Sequence, residues 1–170
     1  MRAYIEIPQP EELSEREKED AMGAYFMMFA ALASSLPLPI INLIAAVIYY
    51  FINRKKSRFI HFHCLQSLLS QFPTTLLNWG LLFWLLQIYV FHNYQINNYY
   101  YAYLFFAIVA NVLYIIYSLI AALKARKGIF FYFLFFGPYA YSRVYRKENL
   151  LGYENEKTLL NNSMTNTPPF

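Results

Sequence analysis

Residues 99–123, YYYAYLFFAIVANVLYIIYSLIAAL, are 25 consecutive uncharged positions that end against Lys124-Ala125-Arg126-Lys127. As an α-helix this stretch would rise about 37 Å, more than the ~30 Å of hydrocarbon in a bilayer, so a transmembrane helix is predicted here. Lys and Arg beside a span are retained on the cytoplasmic face, so the helix should run from outside to inside.

The same charge logic extends outward from that segment. Between Asp20 and Glu148 there is no acidic residue, and the ten charges present are all basic. They gather in three clusters: Arg54, Lys55, Lys56 and Arg58; Lys124, Arg126 and Lys127; Arg143, Arg146 and Lys147. Uncharged runs of 33, 65 and 15 residues separate Asp20 and the clusters from one another. All three clusters are expected on the cytoplasmic side, with the chargeless linker 92–98 opposite. A chain that is 58% hydrophobic and 21% aromatic, with no charged face on its apolar segments, is not a soluble helical domain. The formal charge of +4 does not point to nucleic acid, because the cations flank apolar spans; anionic headgroups are the expected counter-charge. The single cysteine, Cys64, permits no internal disulfide. Residues 1–20 hold seven acids, three basic residues and two prolines, which is not the composition of a cleavable signal.

The fold class expected is all-α: a polytopic membrane bundle with four transmembrane helices favoured and three possible, plus a short interfacial or re-entrant aromatic segment. Residues 1–20 form a cytoplasmic acidic segment and the start of a helix, 21–147 the membrane domain, and 148–170 a polar tail expected to be flexible unless a partner holds it. The uncharged residues 21–52 would span about 48 Å as one helix, so a break is needed, and Leu36-Pro37-Leu38-Pro39 offers it. Either one kinked span or two short helices joined by a turn would satisfy this stretch. Residues 59–91 form a second apolar region with a possible kink at Pro73. Residues 129–142, with Gly137-Pro138, are too few to cross and lie between basic clusters that want the same face, hence the re-entrant reading.

The sharpest chemical feature is a polar stripe on the second region. His63, Ser67, Ser70, Thr74 and Asn78 are spaced four, three, four and four, which places them on one helical face, with Gln66 and Gln71 beside it. Polar groups of this kind should face other helices or a cavity and not lipid. Asn111, Tyr114 and Ser118 make a similar face on the third region, and Asn42 could join from the first. The stripe reads as interhelical glue or as the lining of a conduit. His61-Phe62-His63-Cys64 is a poor metal site, since His61 and His63 point about 200° apart on a helix. No catalytic set, metal site or cofactor motif emerges, and no carboxylate lies within the membrane region, so the chain is expected to be non-enzymatic.

Phe59-Ile60-His61-Phe62-His63-Cys64-Leu65-Gln66-Ser67-Leu68, directly after a basic loop, resembles the Phe-x-x-Phe-His-x-x-Gln-Ala/Ser-Leu signature of a group of small membrane proteins. That group includes the chloroplast inner-envelope Tic import-channel component and bacterial homologues of unknown function. Residues 122–128, an Ala-rich helix end with basic residues and Gly128, followed by Pro138, are similar to the group's C-terminal region. The resemblance implies a four-helix bundle with both ends on one side and a part in protein translocation. Phe59, Phe62, His63, Gln66, Gly128 and Pro138 carry it. The functional expectation is therefore a subunit or accessory factor of a translocation complex in a bacterial inner membrane, with both termini cytoplasmic and a larger complex or homo-oligomer as partner. The alternative is a small-solute or ion channel subunit built around the stripe.

Overall fold

The computed structural model describes residues 5–30, 38–146 and 165–169. Among them the secondary structure is helical, with five α-helices: α1 (Glu15–Phe26), α2 (Pro39–Asn53), α3 (Arg58–Tyr89), α4 (Asn98–Arg126) and α5 (Phe136–Tyr145). One of these, Asn98–Arg126, is long and apolar enough by composition to cross a membrane.

Each start has a local cause. Ser14 caps α1 in a reciprocal box: Ser14 Oγ accepts from the Glu17 amide at 3.3 Å, and Glu17 Oε2 accepts from the Ser14 amide at 2.9 Å. Pro39 opens α2 at a position where its missing N–H costs nothing. Ser57 and Asn97 cap α3 and α4 through their side-chain oxygens. The end of α4 is set by Gly128, whose φ of 73° lies in the left-handed region, while the Ile129 amide returns to the Lys124 carbonyl at 2.9 Å. Pro73, expected as a possible kink, lies inside the continuous helix α3.

The first apolar stretch is two antiparallel helices. The Tyr49 hydroxyl donates to the Asp20 carbonyl at 2.8 Å, so the last turns of α2 lie beside the middle of α1. At the opposite ends, Met28 and Phe29 share a cavity wall with Pro39 and Asn42. The prolines proposed to break the stretch divide between Pro37, outside the described residues, and Pro39, the first residue of α2.

The largest core lies at the basic end, where α1, α3, the end of α4, residues 130–133 and α5 converge. Phe59, Phe62, Tyr25, Phe130, Phe133, Tyr141 and Tyr145 fill it, and Ala121, Ala122 and Ala125 let α4 approach closely. Farther along α3 and α4, Phe72, Leu76, Phe83, Phe105, Phe106, Val112 and Ile116 face outward, as lipid-contacting side chains would.

The acidic start of α1 meets part of the basic face directly. Asp20 pairs with Lys56 at 2.7 Å, and Arg126 reaches Glu15 at 2.7 Å and Glu19 at 3.2 Å. Headgroups therefore need not supply all the counter-charge. The hydrogen bond from Lys18, then that from Arg126, holds the Glu15 carboxyl below the usual carboxylate range. A carboxyl lowered in the folded state stabilises the fold above its unfolded pKa, and that contribution is lost as pH falls through the folded value. Glu15→Gln should accordingly lower the thermal midpoint slightly at pH 7, with the difference shrinking as pH falls below the ordinary carboxylate pKa of about 4.3 and gone below the lowered folded value. A deficit of equal size at pH 3 and pH 7 would assign it to something other than the ion pairs.

Candidate functional site

Gln66 lies about two turns into α3 and is fully buried. Its Nε2 donates to the Tyr25 hydroxyl of α1 at 2.8 Å and to the Phe131 carbonyl at 2.9 Å. Its Oε1 accepts from the Phe133 amide at 3.2 Å. One carboxamide thus joins α1, α3 and the segment between α4 and α5. Residues 129–133 have neither helical nor strand structure, and irregular backbone at membrane depth is tolerated only where protein groups satisfy it. Gln66 does so for two of its backbone groups.

Gly137 makes the approach possible. Its amide donates to the Phe133 carbonyl at 2.8 Å, and a Cβ at this position would lie 2.7 Å from Tyr132 Cα and 3.0 Å from Gln66 Oε1. Pro138 follows inside the first turn of α5. Leu134 and Phe135, 82% and 76% exposed, project from the tip of the segment toward the surroundings. The sequence-based expectation of a short aromatic element here corresponds to an irregular stretch followed by α5, which returns to Arg143.

The same network fixes His63. The Tyr25 hydroxyl, which accepts from Gln66, also shares a hydrogen bond with His63 Nδ1, 2.8 Å away. The ring packs against Phe59, Phe62 and Phe130 with centroids at 4.5, 5.0 and 5.6 Å. His61 lies apart, its Nε2 3.2 Å from the Tyr50 hydroxyl of α2. Among the described residues no group of three His, Cys, Asp or Glu side chains converges.

The predicted stripe divides along its length. Ser67 donates to the Ala24 carbonyl of α1 at 2.7 Å, and Asn78 exchanges two hydrogen bonds with Asn111 of α4, at 3.0 and 2.8 Å. Ser70 and Thr74 instead return to carbonyls of their own helix, Ser67 and Gln71, at 2.8 and 2.9 Å. The Tyr114 hydroxyl sits among Ser70, Gln71 and Ser118. Between these groups lies a cavity of about 190 Å³ lined by Asn42, Gln71, Thr74, Thr75, Asn78, Asn111 and Tyr114, with Met28 and Phe29 as part of its apolar wall.

The basic residues form an uneven surface. Lys55, Lys56, Lys124, Lys127 and Arg143 are exposed, Arg54, Arg126 and Arg146 partly so, and Lys147 lies outside the described residues. Arg58 is only 2% exposed and packs into the bundle, so it does not face headgroups. Arg54 lies 4.7 Å from the Phe51 ring centroid. At the other end of the molecule residues 91–99 are all exposed, with His92 at a φ of 54° and the Asn93 side chain donating to Gln87 Oε1 at 2.8 Å.

Sequence spacing singled out Gln66 only as a neighbour of the stripe, and it did not single out Tyr25, Phe131 or Phe133. No periodic signal connects residues 41 and 65 positions apart.

Comparison with known families gives one match. The sequence model of the MamF/MmsF family, a magnetosome magnetite crystal formation protein family, matches residues 19–160. No curated protein and no solved structure matches the chain. The family match corrects three expectations. The Tic-like identification is wrong, and with it the expected part in protein translocation. The alternative of a solute or ion channel subunit is likewise replaced by a biomineralisation role. The physical reason for the misreading lies in the motif: Phe59, Phe62, His63 and Gln66 are all buried packing residues. They report how a bundle is held together, not which process it serves.

Gln66→Leu strands the Phe131 carbonyl and the Phe133 amide and should cost about 2–5 kcal/mol, read by denaturant unfolding in detergent. Thr74→Ala, which removes bonds to carbonyls of its own helix, should cost under about 1 kcal/mol. Equal losses would deny Gln66 its special position.

Proposed function

The chain belongs to the magnetosome magnetite crystal formation protein family, and on that premise we propose that it is a non-enzymatic integral membrane protein that contributes to magnetite formation through the chargeless loop joining α3 and α4. In this reading α1 with its following turn, α2, α3 and α4 are four spans, and both termini lie on the cytoplasmic side of a bacterial membrane. Three features support the arrangement: Asp20, Lys56 and Arg126 are gathered at one end, the clusters are wholly basic, and the loop at the other end carries no charge. Anionic headgroups meet exposed cations that α1 does not pair, chiefly Lys55, Lys124 and Lys127.

The observation that carries the proposal is the composition of that loop. Residues 21–147 contain no Asp or Glu, so contact of this region with iron or an iron-oxide surface relies on neutral donors. The loop and its flanks offer phenols at Tyr89, Tyr94 and Tyr99, amides at Asn93 and Gln95, and the His92 imidazole, all on exposed residues. Phenol and amide oxygens are hard ligands suited to ferric iron and hydroxylated oxide.

Two measurements bear on this. Cys64 is 2% exposed and shielded, so introduced cysteines report topology: an impermeant maleimide outside intact cells should label Tyr94→Cys and leave Glu6→Cys unlabelled. Labelling of both would replace four spans with three. Full chain in vesicles with the loop outward should adsorb magnetite particles, and His92→Ala combined with Tyr94→Ser and Tyr99→Ser should reduce adsorption several-fold. Adsorption that is unchanged by the triple substitution would remove the loop from the mechanism.

A further inference from the structure

The polar tail was expected to be flexible unless something holds it, yet residues 165–169 lie against the basic end of the bundle. The contact is concentrated in one side chain. Asn166 is 2% exposed, and its Nδ2 donates to the Pro8 carbonyl at 2.8 Å and to the Gly128 carbonyl at 2.9 Å. Its Oδ1 accepts from the Phe130 amide at 2.9 Å. Gln9 closes the other side: its Oε1 accepts from the amides of Thr165 and Asn166 at 2.8 and 3.0 Å. The Tyr132 hydroxyl donates to the Thr167 carbonyl at 2.9 Å.

The donors and acceptors define the pocket's ligand. Two carbonyls and one amide converge on a single carboxamide and match it group for group. An aspartate would present oxygen to the Pro8 and Gly128 carbonyls, and an aliphatic side chain would leave all three backbone groups unpaired. Gly128 is fixed for its own reasons as the left-handed end of α4, and a Cβ there would lie 3.0 Å from Pro10 Cα. Residues 165, 167 and 168 are exposed, so recognition of the tail rests on Asn166 and on backbone bonds that a short peptide bent at Thr165 and Asn166 reproduces.

We propose that Pro8, Gln9, Gly128 and Phe130 form a peptide-recognition site for a short segment bent at an asparagine, and that the chain's own residues 165–169 are its resident, exchangeable ligand bound in cis. With the tail seated, the segment before α1, the end of α4 and the re-entrant backbone are tied together on the basic face. With it displaced, a carboxamide-specific pocket is uncovered there. Tethering gives the tail a high local concentration, so an untethered peptide competes poorly until the tether's own asparagine is removed.

The test uses the full chain in nanodiscs and a fluorescent Thr-Asn-Thr-Pro-Pro peptide. The Asn166→Leu chain should bind the peptide at least tenfold more tightly than the wild-type chain, and a peptide with Leu in place of Asn should bind to neither. Gln9→Leu added to Asn166→Leu should abolish binding. Equal binding by the wild-type and Asn166→Leu chains, or capture of the Leu peptide, would overturn the proposal. So would an Asn166→Leu chain that no longer shows a cooperative thermal transition, since Asn166 would then be a folding element. Wild-type affinity that changes with the number of chains per disc would overturn occupancy in cis.

Discussion

The carboxamide of Gln66 is the interaction on which the basic half of this molecule depends. A segment with no helical hydrogen bonds of its own turns in among helices, and its backbone must be satisfied by the protein because lipid offers nothing. Gln66 supplies a donor and an acceptor in one rigid planar group, and its second hydrogen orders Tyr25. From Tyr25 the order passes to His63, whose ring is held through Nδ1. Phe59, Phe62 and Phe130 then pack around that ring. Loss of this one amide would therefore unsettle the aromatic core as well as two backbone groups.

This dependence explains what sequence could and could not reveal. Charge silence over residues 99–123 and the basic residues that follow locate α4 to within about three residues of Asn98–Arg126, because hydrocarbon imposes a length and headgroups impose a sign. The 14 aromatic-rich residues 129–142 are too few to cross, which suffices to predict a short element here, and the structure has an irregular stretch followed by α5. Periodicity found the Ser67 and Asn78 contacts, since a residue's face on a helix is a local property. It could not tell Ser67, which bonds across to α1, from Thr74, which bonds to its own helix; that difference depends on how near the next helix lies.

The Phe-His-Gln motif resembles a functional signature, but its side chains are the packing of the bundle, and packing is compatible with many tasks. The tail is poor in core formers, and Asn166 needs no apolar core to be held. Its partners are backbone carbonyls and an amide exposed by the way α4 ends at Gly128. Backbone geometry of that kind leaves no mark in the composition of the segment it binds.

The unequal lengths of the helices shape the molecule. Helices α3 and α4 have 32 and 29 residues, while α2 has 15 and α1 has 12 before its 3-10 turn. Near the basic end four helices, the irregular segment and α5 share the cross-section, whereas beside the loop of residues 90–97 the described structure is α3 and α4 alone. The described residues therefore taper, broad toward the basic face and narrow toward the loop. A bilayer that took up such a taper would have more area displaced in the leaflet at the broad end, and it would relieve that difference by curving toward the narrow end.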